Sequence, residues 1–511
     1  MKTQLVPQTS ALGVQGHAFD IQAILGSGFM PLRHCTYWLL EIVDPSLAKR
    51  WLSSVLDLHL VKSVSDLGKV RNDAETHGKP AHTHKHDEVA MIAFSHAGLL
   101  KLAIKATEKF PFPSPFVQGM SSAERAALLG DDVASWKWGD TPAASKSEIH
   151  LLVAHYRNDA TADSDGPLAK HDWAGRGLNS LQSIETCPSY AEKIRSSGRG
   201  DDDQWHAFEP FGFRDGIANP GIDGLRALPR EQTASGETLD SLIAPGEFIL
   251  GHINEYGEKT YCPDVRGWPK RTLADGSTSA FGFNGSYLVA RQMRQHVEEF
   301  RNLERQFASQ TQSHQPTVAE LMIGRRKDGS SLIQCPDAPA AVDEFRYRTD
   351  DDVGFQCPRG AHVRRANPRD TLGWNSLSGV ATSKLHRLLR RGRVYTASPK
   401  ECEEHEHLDK KEHRALCGAG LFFMALNSNL ERQFELVHAR WLQGTSFGDL
   451  CNQNDPIVGR GAPASFSIQA LPVGRSVATL AELTTVLGGG YFFVPSISAL
   501  RYIASKERAF E

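Results

Sequence analysis

The sequence predicts an α+β fold, antiparallel strands sandwiched with helices, and three observations carry that prediction. Runs of strand-type residues alternate with single amphipathic helices through the first 160 residues. None of those helices opens on a Gly-x-Gly-x-x-Gly turn, so a doubly wound nucleotide-binding sheet is not indicated. At 511 residues the chain exceeds one ordinary domain, which makes two the natural expectation. The polar stretch Ser196 to Asp203 offers the boundary, giving an N-terminal domain over 1–200 and a C-terminal one over 201–511.

The elements follow in order. Tyr37-Trp-Leu-Leu-Glu-Ile-Val43 is rich in aromatic and branched residues and reads as a strand. Asp44-Pro45 then starts a helix, Asp as N-cap and Pro at the first helical position. A second strand spans 88–95, with Ser95 placed to cap the next helix, and Ser121-x-x-Glu124 has the form of a capping box. Ile149-His-Leu-Leu-Val-Ala-His-Tyr156 is a third strand. In the second half Gly285-Ser-Tyr-Leu-Val-Ala-Arg291 reads as a strand before a charged helix through Glu298. Gly420-Leu-Phe-Phe-Met-Ala-Leu426 is apolar at both parities, so both its faces need cover. Tyr491-Phe-Phe-Val-Pro-Ser-Ile497, after three glycines, reads as a late strand.

Composition excludes several classes of function. A net charge of −3 with no basic stripe gives no case for nucleic acid. The longest apolar runs, such as 421–426, fall short of a membrane span. Residues 1–20 lack a basic start followed by an apolar core, so no secretion leader is read and a cytoplasmic location is expected. Eight cysteines at this length do not form a disulfide framework, and no two are spaced Cys-x-x-Cys.

Chemistry concentrates in three segments. The first, Phe211-Gly-Phe-Arg-Asp-Gly-Ile-Ala-Asn-Pro220, brackets an Asp with glycines that free the backbone for a tight loop. Alone it is an ordinary Asp-Gly turn. The others are Gln356-Cys-Pro-Arg-Gly-Ala-His-Val-Arg-Arg-Ala-Asn-Pro-Arg-Asp370 and Leu385-His-Arg-Leu-Leu-Arg-Arg-Gly-Arg-Val-Tyr395. Together, in this order, they resemble the dye-decolorizing peroxidases, a family of haem enzymes. Gly212-Phe213-Arg214-Asp215-Gly216 matches the family's Gly-x-x-Asp-Gly signature. Gly360-Ala361-His362, Arg364-Arg365 and Asn367-Pro368-Arg369 match its proximal segment. Arg390-Arg391-Gly392 with Tyr395 matches the segment of its distal arginine. Asp20-Ile-Gln22, Ala93-Phe94-Ser95, Gly98-Leu99 and Asp455-Pro456-Ile457 extend the likeness over nearly the whole chain, and the loops around 396–413 look like those of the larger subclasses.

The resemblance implies two ferredoxin-like domains, each an antiparallel sheet with helices packed on it, and a haem pocket in the second. It implies His362 as the iron ligand, with Asp215 and Arg390 on the opposite, peroxide-binding side. Without Cys-x-x-Cys-His the haem would be haem b, held without thioether links. Peroxide cleavage needs a group that takes a proton from one oxygen and gives it to the other, which suits Asp215. It also needs a cation for the departing oxygen, which suits Arg390; the competing reading of Arg390 is a surface arginine, since Arg387, Arg391 and Arg393 crowd it.

Leu421 and Phe423 align with residues that wall the family's distal pocket, and alternation puts both on one strand face. Arg369 suits a haem propionate, or a simple salt bridge. The proximal partner of His362 is left between Asn429, aligned with a carboxylate of relatives, and Glu431. Tyr395, then Trp374, are the candidate relays to bulky reductants. The expected activity is reduction of hydrogen peroxide and one-electron oxidation of phenols and dyes; the alternatives are a haem carrier or store, or a protein that removes iron from haem. His82-Thr-His-Lys-His86 and Glu404-His-Glu-His407 read as solvated loops, not metal sites.

Overall fold

The computed structural model describes residues 13–67, 88–139, 148–158, 166–168, 172–186, 191–194, 204–225, 240–273, 275–307, 315–333, 343, 345–396, 418–460, 465–478 and 482–505. The expected boundary near 196–203, the loops over 397–413 and both histidine-rich loops lie outside these residues.

A ten-stranded sheet runs through both halves of the chain. The first half supplies β1 (His34–Ile42), β2 (Glu88–Phe94), β3 (Leu151–Arg157) and β4 (Leu178–Glu185) in the order β2-β3-β1-β4. A short hairpin of β5 (Gln204–Phe208) and β6 (Arg214–Asp215) lies off this sheet. The second half supplies β7 (Ser286–Gln295), β8 (Leu389–Arg390), β9 (Arg393–Thr396), β10 (Gly418–Asn427) and β11 (Thr484–Val494). Its order, β8-β10-β7-β11 with β9 beside β10, repeats that of the first half. Each half is therefore a four-stranded antiparallel unit with its first and third strands adjacent at the centre, the ferredoxin-like arrangement. The halves meet between β11 and β2 at a single pairing, Phe493 with Phe94. Gln22 reinforces the seam, its Nε2 donating to the carbonyls of Ile92 (3.0 Å) and Pro495 (2.9 Å).

Local chemistry explains the element starts. Asp44 caps α1 (Pro45–Asp57), its carboxylate accepting from Ser46 N at 2.7 Å and Leu47 N at 3.1 Å. Ser95 caps α2 (His96–Lys101) through Gly98 N at 3.0 Å. The helix Ala123–Leu129 is capped by Ser122, one residue later than the capping box expected from Ser121 and Glu124. Glu124 turns instead to Arg125 and Gln118. Strand β7 outlasts the expected Arg291 and reaches Gln295, so the charged helix α3 (Val297–Phe307) begins where it was expected to be ending.

Strand β11 likewise starts earlier than expected and contains the three glycines. The two-residue strand Trp138–Gly139 runs parallel to it there. A Cβ at Gly488 would meet the Trp138 carbonyl oxygen at 2.5 Å, so glycine here serves close approach and not a turn.

One apolar core fills each face of the sheet. The α4 helix (Ile497–Ser505) packs on α1 across the two halves. A third cluster, built on Phe211, Phe213, Phe300 and Ala361, lies in the second half. Among the described residues no helix is long and apolar enough to cross a membrane.

Candidate functional site

His362 opens the short helix α5 (His362–Ala366), and the two arginines of its motif fasten that helix from different sides. Arg364 donates to the Cys357 carbonyl (2.7 Å) and the Asp351 carboxylate (3.1 Å). Arg365, fully buried, donates to the carbonyls of Trp441 (2.8 Å) and Gln453 (3.1 Å). With the backbone so held, the imidazole Nδ1 lies 3.1 and 3.0 Å from the two oxygens of Asp455.

An ionised carboxylate only accepts, so Nδ1 carries a proton, and in the neutral ring Nε2 is the nitrogen that presents a lone pair. Asp455 is wholly buried and also accepts from Ile457 N (2.9 Å) and Val458 N (3.0 Å). Burial alone would raise its carboxyl, but His362 and these donors hold it below the ordinary carboxylate range. For the imidazole, burial acts downward and Asp455 more than offsets it, leaving the ring raised.

The partner of the His362 ring is therefore Asp455, and neither of the expected candidates. Asn429 caps the following turn, its Oδ1 accepting from Arg432 N at 2.9 Å, and Glu431 is a half-exposed neighbour of Arg125 at 3.5 Å. Asp455 is 93 residues from His362 in sequence, and only its membership of the Asp-Pro-Ile segment hinted at it.

Asp215 and Arg390 do come together, Nη1 to Oδ1 at 3.2 Å. Asp215 stands in the second strand of the β5–β6 hairpin, opposite Ala207, and its Oδ1 also accepts from Gly216 N at 2.6 Å. Gly212 (φ 92°) and Gly216 (φ 83°) take the left-handed conformation that side chains disfavour, which accounts for both motif glycines. Arg390 is set by β8 pairing with β10, and its N–H donates to Asn219 Oδ1 at 3.1 Å.

The crowd of arginines then sorts itself. Arg387 donates to the Ala218 carbonyl (2.8 Å), Arg391 to those of Ile24 and Leu25, and Arg393 to those of Leu32, Gly28 and Phe29. Those three are structural ties, whereas Arg390 meets the acid. Both members of the pair act electrostatically on His362, Arg390 lowering it and Asp215 raising it.

Leu421 and Phe423 lie on one face of β10. Their neighbours Phe422 and Met424 are fully buried on the other, while these two stay partly exposed. Leu421 and Asp215 border a common cavity of about 40 Å³, enough for a molecule the size of water or peroxide. His362 is itself 27% exposed although its partner Asp455 is wholly covered. Among the described residues its Nε2 has no hydrogen-bond partner, so the ring's free edge faces open space.

Other expected groups are placed differently. Arg369 is committed to Asp343, 2.6 Å to the carboxylate and 2.8 Å to the carbonyl, and stacks over Phe345 at 3.8 Å. It is a partly buried salt bridge, with most of its donors already engaged. Tyr395 is buried at 2% exposure, so it is no surface relay, whereas Trp374 is 86% exposed.

No family model matches the chain. Two curated relatives from Mycetinis scorodonius are similar along most of it. A dye-decolorizing peroxidase is 27% identical over 92% of this chain and 84% of its own length. A protein named Peroxidase 2 is 29% identical over 96% and 88%. Among solved structures, a DyP-type peroxidase of Anabaena sp. superposes with a TM-score of 0.70 at 21% identity, covering 96% of this chain and 95% of its own. A decolorizing peroxidase from Auricularia auricula-judae gives 0.66 at 22%, covering 96% and 100%. In sequence along most of its length, and in its paired ferredoxin-like sheets, the chain is similar to the dye-decolorizing peroxidases.

Proposed function

We propose that this peroxidase binds haem b through His362 Nε2, reduces hydrogen peroxide with Asp215 and Arg390, and oxidises phenols and bulky dyes in single-electron steps. One observation carries the proposal. An imidazole fixed by a buried carboxylate keeps its other nitrogen free, within electrostatic reach of an acid–guanidinium pair bordering the half-covered face of β10. Those residues fit the group, because Nδ1–H bound to Asp455 leaves Nε2 a strong neutral donor for iron.

When bound, haem would hold the two oxidising equivalents taken from peroxide and pass them on one at a time. Asp215 takes a proton from one peroxide oxygen and returns it to the other, which departs as water. Arg390 Nη1 offsets the negative charge that develops on that leaving oxygen. Leu421 and Phe423 narrow the space to small molecules, so large reductants act from outside, with Trp374 the exposed candidate for their contact. Arg369 would meet a propionate only by giving up Asp343.

A carrier or store has no need of the Asp215–Arg390 pair. Mixing the ferric protein with peroxide separates the readings: a fast change in the haem spectrum with dye bleaching supports the peroxidase reading, and an unchanged spectrum refutes it. The proximal carboxylate gives a further test. Asp455→Asn keeps the size and removes the charge, so it is expected to raise the ferric–ferrous midpoint and weaken haem binding by about 10- to 100-fold. Redox titration and haem transfer measure both, and an unmoved midpoint would exclude Asp455 from control of the iron.

A further inference from the structure

We propose that Glu209 is a positioning residue for the distal acid, its carboxylate gripping from within the turn of the hairpin that carries Asp215. This rests on the assignment of Asp215 given above. Only residues 209–213 separate the paired strands β5 and β6. Across that turn Glu209 N donates to the Phe213 carbonyl at 2.9 Å and Gly212 N to the Glu209 carbonyl at 2.8 Å. The side chain then folds back on the same turn. Its Oε1 accepts from Phe213 N at 2.8 Å, and its Oε2 from Phe211 N at 2.9 Å and from Gln295 Nε2 at 2.6 Å.

Gln295 ends β7, a central strand of the second-half sheet, so the carboxylate ties the hairpin to the scaffold as well as to itself. Two aromatic rings complete the grip. Phe211 stacks on Phe300 at 4.2 Å, and Phe213 meets the same ring edge-on at 6.2 Å.

The residue type is informative. Burial, with a smaller contribution from Asp215, pushes the Glu209 carboxyl up to about 7 against the pull of its N–H donors. A neutral side chain would fill the space at lower cost. What only a carboxylate offers is acceptance at both ends, and glutamine would turn N–H against N–H at one of them. Asp215 is two residues beyond the last N–H that Glu209 holds, and it borders the same cavity as Glu209, so a slack turn moves the acid relative to Arg390.

The test is a double-mutant cycle on the full-length, haem-loaded protein, with Glu209→Gln and Asp215→Asn made singly and together. Glu209→Gln is expected to slow the reaction with peroxide by about 10- to 100-fold, the scale of a misplacement of about 1 Å. It should leave haem content and the reductant half-reaction within about twofold. Added to Asp215→Asn it should cost less than about twofold more, because it acts through that residue. An unchanged rate in the single variant, or an equal loss in both backgrounds, overturns the proposal. Should Glu209→Gln not fold, Gln295→Leu removes one donor, leaves Glu209 in place, and must show a smaller loss with the same dependence on background; its absence overturns the proposal equally. Asp215→Asn alone reports on the parent assignment, and an unchanged rate there removes both.

Discussion

Asp215→Asn is expected to slow the reaction of the ferric protein with hydrogen peroxide by about 10²- to 10⁴-fold while leaving haem content unchanged. The change is nearly isosteric, and an amide oxygen can still accept from Gly216 N, so the hairpin has no reason to move. What disappears is the site that accepts and returns the proton, together with the charge opposite Arg390 Nη1. Arg390→Leu should lose about 10²- to 10³-fold, the usual scale for removing one preorganised group that stabilises developing charge. Stopped-flow mixing with peroxide reads both variants. If both react as fast as the parent protein, the distal side has been misassigned.

His362→Ala should bring the larger loss, that of the cofactor itself. The variant is expected to purify without stoichiometric haem and without the spectrum of a histidine-ligated iron. It should nevertheless fold. Removing the imidazole strips Asp455 of one partner, yet its Oδ1 keeps the N–H groups of Ile457 and Val458, so the buried charge is not left bare. The helix it opens is still fastened by Arg364 and Arg365. A near-normal unfolding midpoint in the haem-free state therefore distinguishes loss of a ligand from loss of the fold. Full haem content with an unaltered axial spectrum would eliminate His362 as the ligand.

What could be read from the sequence was largely local. Asp44 and Ser95 announce their helices because a cap acts over three residues. The strand over 420–426 declares itself through its apolar run. The motifs singled out Asp215 and Arg390, 175 positions apart, and the expectation that they converge came only from the family resemblance; their ion pair measures 3.2 Å. Where order depends on remote packing, the sequence was silent or misleading. The glycines at 488–490 read as preceding a strand, yet they lie within it, and Gly488 makes room for Trp138. Tyr395 has the composition of a relay but lies beneath the surface, and Asp455 reaches His362 only through tertiary folding. Side-chain commitment is equally invisible: nothing in Asn-Pro-Arg tells that Arg369 is taken by Asp343.

The seam between β11 and β2 bears on the order in which the molecule can assemble. Strands β1 to β4 are all complete in sequence by residue 185, so the first unit can form early. The second unit cannot: β7 stays without its β11 neighbour until residues 484–494 emerge, and those same residues also pair with β2 and with Trp138–Gly139 of the earlier unit. Completion of the second sheet unit is thus a late event in synthesis, and a nascent chain stalled before residue 484 would present an open strand edge on β7.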